Sequence, residues 1–459
     1  MNDFATRTNV AALASAFGKD QGAQNAAIQA AQQDADRAKQ AAGVTPFDFG
    51  ATGVGDDGPE IQAALDAVSA QGGGTVWLPA LGGPWQTGQT LLLDSGVSIK
   101  GHAGRATIKA MDGLTGNLLE TRDWAVLSAD GNTSAGGSHT FVIEDILLDG
   151  NAAGRGGFSA SGGDGLCIYG RDFTLKNVYI KGAPRHGLRA YYMNVSGSGV
   201  SPYNANLEGV FIDVCGGHGI DWQISDSNWT SVNIASPSQA ADNTYDAVVA
   251  SKLVRWTNGA IWRKGVHTNK HRYGINNTSG GASFVAVNIE TAATAGVMNT
   301  GDHCRFDLYT YNILGAHHFK NSGGYNAIHV TASRASLGGD GFVVENSGSK
   351  NTFEVLATGS LGLFDIKGGN HNNYRAHGYV GATAPTSGDF GSYDTAHIIA
   401  DQGSTTLMIT RLGAVGRIGN TASRPNYGAG NTGTYFDTTL NKPIWWTGSG
   451  WVDATGATV

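Results

Sequence analysis

Acidic and basic side chains recur at a fixed interval in the middle of the chain. Three segments align without gaps at an offset of 32 residues: VIEDILLDG from Val142, TLKNVYIKG from Thr174 and NLEGVFIDV from Asn206. Two outward positions then carry charge on all three segments: Asp149, Lys181 and Asp213 at one, and Glu144, Lys176 and Glu208 at the other. On neighbouring strands, carboxylates two strands apart lie roughly 9 to 10 Å from each other. An inverting glycosidase uses a separation close to this value, and the alternative is a ladder of alternating charges.

A pair of histidines follows the same interval. His186 and His218 align, and Asp164 is expected at the same position one turn earlier. Arg189 and Asp221 share the next outward position. A histidine beside a carboxylate can act as a general acid or base near neutral pH. The alternative is that these side chains only hydrogen-bond the turn in which they lie.

Two basic stretches suit an anionic glycan. Residues 155–189 contain Arg155, Lys181, Arg185 and Arg189 among few acids, and residues 252–272 contain Trp256 and Trp262 among lysines and arginines. Arginine can hold a carboxylate through two parallel hydrogen bonds, and an indole ring can stack on the face of a sugar. Surface solvation and contacts between subunits explain the same residues about as well.

The sequence predicts neither a metal site nor a cofactor. His267 and His271 have the spacing of metal ligands on a helix, but no helical pattern surrounds them and no third ligand is evident. The three cysteines are too few and too scattered for a disulfide framework. Cys167, Cys215 and Cys304 are therefore predicted to be small buried core residues.

Stacked strands are the elements that could position these side chains. Each aligned segment alternates apolar and polar residues, and Asp145, Asn177 and Gly209 share a position where a tight bend is expected. A second marker, a glycine followed by an apolar residue, recurs at Gly165, Gly187, Gly219, Gly274, Gly296 and Gly341. Internal repetition of this kind predicts a solenoid that runs to roughly residue 400. The 69 glycines and the charged fraction of only 15% also favour an all-β fold.

Composition argues against two classes of partner. The net charge of -7 provides no general basic field, so nucleic acid is not an expected partner. No stretch of about 18 apolar residues is present, so no membrane insertion is expected. Residues 9–42, rich in Ala and Gln, are the strongest helix-forming segment. Such a helix buries little alone and is predicted to pair with copies of itself.

Two segments resemble parts of phage tail proteins. The motifs FGATG, DD, EIQAAL, GGGTVWLPA and TLLLDSGVSIKG follow one another within residues 46–101. This order is similar to the N-terminal module of the pectate-lyase-like family found in phage tailspikes, in which a short helix covers the open end of a β-helix. The aromatic tail over residues 424–455 resembles the hairpin that ends many tail fibres and tailspikes.

The resemblance implies a right-handed parallel β-helix that assembles as a homotrimer. It divides the chain into residues 1–45 for trimerisation or virion attachment, 46–101 as a cap, 102–410 as the glycan-binding and catalytic β-helix, and 411–459 as a hairpin region with trimer contacts. It also implies a virion protein, made in the host cytoplasm, that docks on other tail or baseplate proteins through its N-terminus. The expected ligand is a bacterial surface polysaccharide, namely capsule, exopolysaccharide or O-antigen.

Three functions are compatible with these residues. A glycoside hydrolase is favoured, with Asp149, Asp213, Asp164 and Asp221 as candidate catalytic carboxylates. In the first alternative, a polysaccharide lyase, basic groups such as Arg155 and Arg189 neutralise a uronate while His186 or His218 removes the neighbouring proton. The second alternative is an adhesin that binds the glycan without cutting it. Fold alone does not choose among the three.

Overall fold

Short parallel strands wound around one apolar core account for most of the chain. The structure, a computed structural model, describes residues 43–102, 105–129, 136–192, 204–333, 341–358, 362–379, 386–387, 394–402, 405–411, 417–424, 433–447 and 449–459. The helix predicted over residues 9–42 lies outside the described residues. Among those described, no helix is both long and apolar enough to cross a membrane.

The strands follow one another at short intervals along the chain. In chain order they are β1 (Gly74–Pro79), β2 (Trp85–Thr87), β3 (Leu91–Leu93), β4 (Val97–His102), β5 (Ala106–Ala110), β6 (Leu119–Thr121), β7 (Ser138–Glu144), β8 (Ile146–Asp149), β9 (Leu166–Lys176), β10 (Tyr179–Ala183), β11 (Leu188–Tyr191), β12 (Ala205–Glu208), β13 (Phe211–Cys215), β14 (Ile220–Gln223), β15 (Ser227–Thr230), β16 (Asn233–Ala235), β17 (Val248–Ala250), β18 (Val254–Trp262), β19 (Tyr273–Asn277), β20 (Ser283–Glu290), β21 (Ala295–Asn299), β22 (Arg305–Tyr311), β23 (His317–Asn321), β24 (Ala327–Ser333), β25 (Phe342–Asn346), β26 (Thr352–Thr358), β27 (Gly362–Ile366), β28 (Asn373–Tyr379), β29 (Thr386–Ser387), β30 (Thr395–Gln402), β31 (Thr405–Arg411), β32 (Arg417–Gly419), β33 (Gly433–Asp437), β34 (Lys442–Trp446) and β35 (Trp451–Asp453). The helices are α1 (Gly58–Ala70) and α2 (Trp124–Leu127), with 3₁₀ turns at Pro46–Phe49, Ala152–Arg155 and Thr421–Ser423.

Each turn of the solenoid places strands in three parallel stacks. The first stack contains β1, β4, β7, the end of β9, β12 and β15. The second contains β2, β5, β8, β10, β13 and β16, and from β18 onward one strand per turn serves both stacks. The third contains β3, β6, the start of β9, β11, β14, β17 and the odd-numbered strands from β19 to β29. The described residues complete about 11 turns, which confirms the predicted parallel β-helix.

The core follows the register that the repeat predicts. Leu148, Ile180 and Ile212 pair across β8, β10 and β13, and all three are buried. Burying an aliphatic side chain of this size contributes about 1.5 to 3 kcal/mol, and the same contribution recurs on every turn. The three cysteines are buried and form no disulfide, as predicted.

The bend between the first and second stacks lies where the alignment predicts it. Asp145, Asn177 and Gly209 have φ angles of 56°, 52° and 64°. Asparagine, aspartate and glycine tolerate this left-handed conformation better than other residues. The Asn177 side-chain amide also donates to Asp145 Oδ1 at 3.0 Å, so the bends of successive turns are tied together.

The marker glycines allow neighbouring turns to approach closely. A Cβ on Gly187 would lie 2.7 Å from the carbonyl oxygen of the next turn, which no side chain can accept. The prediction that Gly341 is the last marker glycine was wrong, because it does not lie in register with the others. Phe342 pairs with His317 at the start of its strand, and the buried Val344 takes the inward position that follows the other marker glycines.

Helix α1 covers the open N-terminal end of the core. It begins after Asp57 and buries Ile61 and Leu65 against the first strands. The Asp57 carboxylate accepts the N–H groups of residues 52 and 53, at 2.9 and 3.2 Å, so it ties down the incoming loop. Asp56 provides the hydrogen bond at the start of the helix, where its Oδ1 accepts the Gly58 N–H at 3.0 Å.

A row of asparagines runs inside the later turns of the third stack. Asn277, Asn299, Asn321 and Asn346 are buried and hydrogen-bonded in series, at 2.7, 2.8 and 2.9 Å. Buried amides need such partners because an unpaired polar group in the core is costly.

The C-terminal strands form a separate small sheet. Strands β33, β34 and β35 are antiparallel, and β32 runs parallel to β33. Tyr435, Ile444 and Trp451 form its core, with Trp446 packed against them.

Candidate functional site

Three polar side chains meet on the outer face of the third stack. Arg189 on β11 and Asp221 on β14 pair in the register that the alignment predicts. Tyr191 faces the same side as Arg189 because side chains alternate along a strand. Arg189 Nη2 donates to the Tyr191 hydroxyl at 2.6 Å, and that hydroxyl donates to Asp221 Oδ2. These three residues are called the Arg189 cluster below.

The guanidinium of Arg189 is held between aromatic rings, but its ion pairs with carboxylates are long. Its Cζ lies 5.2 Å from the ring centroid of Trp124 and 4.9 Å from that of Tyr191. Its Nε is buried and has no hydrogen-bond partner among the described residues. Carboxylate oxygens of Asp164 and Asp221 lie 3.5 Å from its nitrogens. Because both ion pairs are long, the guanidinium is suited to bind the carboxylate of a ligand.

Within the cluster, Tyr191 is the proton donor and Asp221 the acceptor. Burial raises the pKa of Tyr191 well above its ordinary value, and the charge of Asp221 raises it further. Arg189 opposes this rise without reversing it. The phenol therefore stays protonated and donates to the carboxylate.

Asp164 lies at the start of the same stack and is fully buried. It accepts two hydrogen bonds from Arg185, both at 2.7 Å, and one from the His186 backbone N–H at 3.0 Å. Burial by itself would raise the pKa of Asp164, but the Arg185 hydrogen bonds and nearby positive charges outweigh it and lower the pKa. Asp164 is thus a fixed negative charge, held by Nε and Nη2 of Arg185.

His186 and His218 stack at the turn between the second and third stacks, with ring centroids 5.1 Å apart. Each Nδ1 accepts a backbone N–H of the next turn, from His218 at 2.8 Å and from Asp246 at 2.9 Å. Burial lowers the pKa of His186 to about 3 and also lowers the pKa of His218. Both rings are therefore neutral near pH 7, and their contacts are those of the turn-bonding alternative.

Asp149, Lys181 and Asp213 pair across β8, β10 and β13 on the second stack. Lys181 Nζ lies 3.2 Å from Asp149 Oδ2. Asp213 accepts a hydrogen bond from the Tyr179 hydroxyl and lies 2.6 Å from Lys264 Nζ. Each carboxylate thus has its own lysine. The Lys181–Asp149 pair belongs to the alternating charge ladder that was the alternative to catalysis, whereas Lys264 reaches Asp213 from outside that column.

The remaining predicted binding residues have unequal access to a ligand. Trp256 is 0% exposed and packs on Trp229 and Phe284, so its assignment to sugar stacking is wrong. Trp262 is half-buried on the outer surface. Arg155 directs its donors at carbonyl oxygens of its own region, including that of residue 114 at 2.6 Å and that of residue 150 at 3.2 Å.

Sequence reasoning did not select Tyr191 or Trp124. The alternation of side chains along a strand, applied from Arg189, would have found Tyr191. Trp124 lies in the short helix α2, outside the repeat, and nothing in the sequence connects it to Arg189. A further concavity on the outer face of β22 to β30 was also not foreseen. Its two parts, of about 310 and 230 Å³, share His329 and Glu354 in their walls.

No family model matches the chain. The mannuronan C5-epimerase AlgE1 of Azotobacter vinelandii is 31% identical over 283 residues, which cover 58% of this chain and 16% of that protein. The tail spike protein of Shigella phage Sf6 is 37% identical over 87 residues, covering 18% of this chain and 14% of that protein. The chain therefore spans well under two thirds of either relative.

A solved tailspike shares the fold. The tailspike of E. coli bacteriophage HK620, crystallised in complex with a pentasaccharide, superposes with a TM-score of 0.52 at 12% identity. The match covers 78% of this chain and 76% of that chain. The chain is thus a parallel β-helix of the kind found in phage tailspikes, as its N-terminal motifs indicate.

Proposed function

We propose that the protein is a phage tailspike that binds an anionic polysaccharide of the bacterial surface along its β-helix and modifies it. Two relatives support this proposal, one for the tailspike role and one for action on a uronate polymer. The Sf6 protein is a tail spike, and AlgE1 acts on mannuronan, a polymer of uronates. Assembly as a homotrimer and attachment to other tail proteins through residues 1–45 are parts of the same proposal.

The observation that carries the chemistry is the weak pairing of Arg189. A uronate presents one carboxylate per sugar, and a guanidinium whose contacts with protein carboxylates are as long as 3.5 Å can bind it. Binding there brings the sugar against Asp221 and Tyr191, which are already joined to Arg189. Arg185 is less suited because it makes two short hydrogen bonds to Asp164, and Arg155 because its donors are directed at backbone carbonyls.

The reaction that these groups suit is β-elimination. Arg189 neutralises the uronate carboxylate, which makes the proton on C5 easier to remove. Asp221 accepts that proton and Tyr191 gives its own to the leaving O4. The C5–H and C4–O4 bonds break and a C4–C5 double bond forms. Epimerisation at C5 begins with removal of the same proton, so the AlgE1 similarity fits this type of chemistry.

Glycoside hydrolysis is the second candidate. The observation in its favour is that Asp149 and Asp213 lie two strands apart on one surface, roughly 9 to 10 Å from each other. This is near the upper end of the carboxylate spacing in inverting enzymes. The lysine beside each carboxylate is the observation against it.

The test is incubation of the purified chain with a panel of acidic surface polysaccharides that includes mannuronan. Chain length is followed by gel filtration, unsaturated uronates by ultraviolet absorbance, and sugar configuration by NMR. Shortening with new absorbance supports the lyase, and a change of configuration without shortening supports an epimerase at the same site. Shortening without absorbance moves the assignment to Asp149 and Asp213. Saturable binding with no chemical change refutes the enzyme proposal and leaves an adhesin.

A further inference from the structure

A second polar cluster lies on the third stack, several turns after the Arg189 cluster. His317 begins β23, Glu345 lies on β25 and Asp365 lies on β27, so three successive turns each supply one residue. One possible ligand atom from each lies within 4.8 Å of the other two. His317 and Asp365 are only 8% and 5% exposed. The proposed function does not use these residues.

The contacts of the His317 ring leave an electron-rich gap. Nε2 lies 3.0 Å from Asp365 Oδ2, and Nδ1 lies 3.4 Å from Glu345 Oε2. A neutral imidazole carries one N–H. When that N–H points to Asp365, Nδ1 faces a carboxylate oxygen, and the two atoms are compatible when either a proton or a metal ion lies between them.

The gap has the dimensions of a metal site. An ion about 2.1 Å from both a histidine nitrogen and a carboxylate oxygen, in tetrahedral geometry, separates those two atoms by about 3.4 Å. This is the observed distance between Nδ1 and Oε2. A carboxylate behind the imidazole, here Asp365, is the usual partner that fixes the tautomer of a metal-binding histidine.

The lysines nearby do not fill the gap. Lys367 lies 2.9 Å from Asp365 Oδ2, and Lys320 lies 3.4 Å from Glu345 Oε1, the oxygen that does not face His317. Asp365 Oδ1 is buried and has no hydrogen-bond partner among the described residues. Each carboxylate thus has one lysine nearby, and neither lysine contact is made with Glu345 Oε2, the oxygen that faces His317 Nδ1.

We propose that His317 and Glu345 bind a divalent transition metal such as Zn²⁺, with Asp365 holding the imidazole in position. The ion links two turns of the solenoid directly, and Asp365 connects the third turn to the imidazole. Two protein ligands leave coordination positions for water. The sequence did not suggest this site because its members lie on three different turns and share no short motif.

The experiment is titration of the full chain, first treated with a chelator, with Zn²⁺ by calorimetry and with Co²⁺ by visible spectroscopy. One equivalent should bind, and Co²⁺ should give the visible bands of a low-symmetry site. Glu345→Gln should abolish saturable binding. Asp365→Asn should weaken binding about 10- to 100-fold, as is typical when the partner of a metal-binding histidine is lost. His317→Gln should also abolish it, but the half-buried Glu345 is the safer position for folding.

His329→Gln is the matched control. His329 also faces a carboxylate, with Nδ1 2.9 Å from Asp307 Oδ1, but lies on β24 of the merged first and second stacks. Its loss should leave metal binding unchanged. The absence of saturable binding would overturn the proposal, and so would equal binding by wild type and a folded Glu345→Gln variant. Loss of metal binding in the His329 variant would place the site elsewhere and overturn it as well. None of these results depends on whether the chain cuts a polysaccharide.

Discussion

Replacing Arg189 by glutamine tests the proposed site most directly. The change removes the positive charge of the guanidinium while keeping a polar side chain of similar length. A hydrogen bond to a charged group contributes about 1.5 to 3 kcal/mol. If Arg189 binds the uronate carboxylate in the transition state, kcat/KM should fall by about 10- to 150-fold. The free energy of unfolding should change by less than the activation free energy does, because the Arg189 contacts to Asp164 and Asp221 are long, at 3.5 Å.

The assay is the initial rate of product formation on the responsive polysaccharide, measured for wild type and two variants. Lys176→Gln is the control for loss of one positive charge. Lys176 pairs with Glu144 at 2.9 Å on the first stack, away from the Arg189 cluster. Its rate should match that of wild type at the same ionic strength. A drop in both variants would point to a general electrostatic effect on a polyanionic substrate.

Two results would refute the reasoning. The first is a folded Arg189→Gln protein whose kcat/KM is within about twofold of wild type, well below the expected range. The second is cleavage of a neutral polysaccharide by wild type with an equal loss in the variant, because the proposed elimination requires a uronate carboxylate. Tyr191→Phe should then be examined for the pH dependence of kcat, since it removes the proposed acid and keeps the ring.

Three further outcomes are expected. Arg185→Gln should lower the free energy of unfolding by about 3 to 5 kcal/mol, because it removes both short charged hydrogen bonds to the buried Asp164 and leaves only the 3.5 Å contact with Arg189 as an ion pair; denaturant titration measures this, and a change below about 1 kcal/mol would contradict it. The free energy of unfolding should decline as the pH falls below about 6.5 toward the folded pKa of His186, about 3, because the unfolded chain binds a proton that the folded chain does not. The expected slope is about 1.4 kcal/mol per pH unit for each such histidine. Unfolding measured across this pH range tests the expectation, and a flat profile would show it to be wrong. Trp256→Ala should destabilise by about 3 to 5 kcal/mol, whereas Trp262→Ala should affect glycan binding more than unfolding; calorimetry on both variants checks this, and the reverse pattern would count against the assigned positions.

The sequence predicted the geometry best where the repeat is free of insertions. The alignment over residues 142–214 placed the bend at Asp145 and the core position of Ile180 correctly. Trp256 lies where the alignment no longer predicts which way a side chain faces. It pairs with Trp229, which pairs with Leu207, all facing inward, but the two steps are 27 and 22 residues rather than 32. Once the loops change length, a residue cannot be assigned to the inner or outer face by counting.

The candidate site was only partly predictable because ion pairing depends on loops. Arg185 and Arg189 are four residues apart and look alike in the sequence. The marker glycines place Asp164 beside His186, and the strand register confirms this. Only the structure shows which arginine the carboxylate favours: Asp164 binds Arg185 through two short hydrogen bonds and has only a 3.5 Å contact with Arg189.

A solenoid makes this difference between saturated and unsaturated groups informative. Every outward column is extended by the same backbone register, so its side chains meet their neighbours at the same spacing on each turn. In the column of Asp149, Lys181 and Asp213 this spacing pairs Lys181 with Asp149, and Lys264 from outside the column pairs with Asp213, so both carboxylates are closely paired. In the column of Arg189 and Asp221 the same register leaves a longer contact, 3.5 Å from the guanidinium to the carboxylate. A ligand carboxylate can compete with an ion pair of this length, which is what the proposed function requires of Arg189.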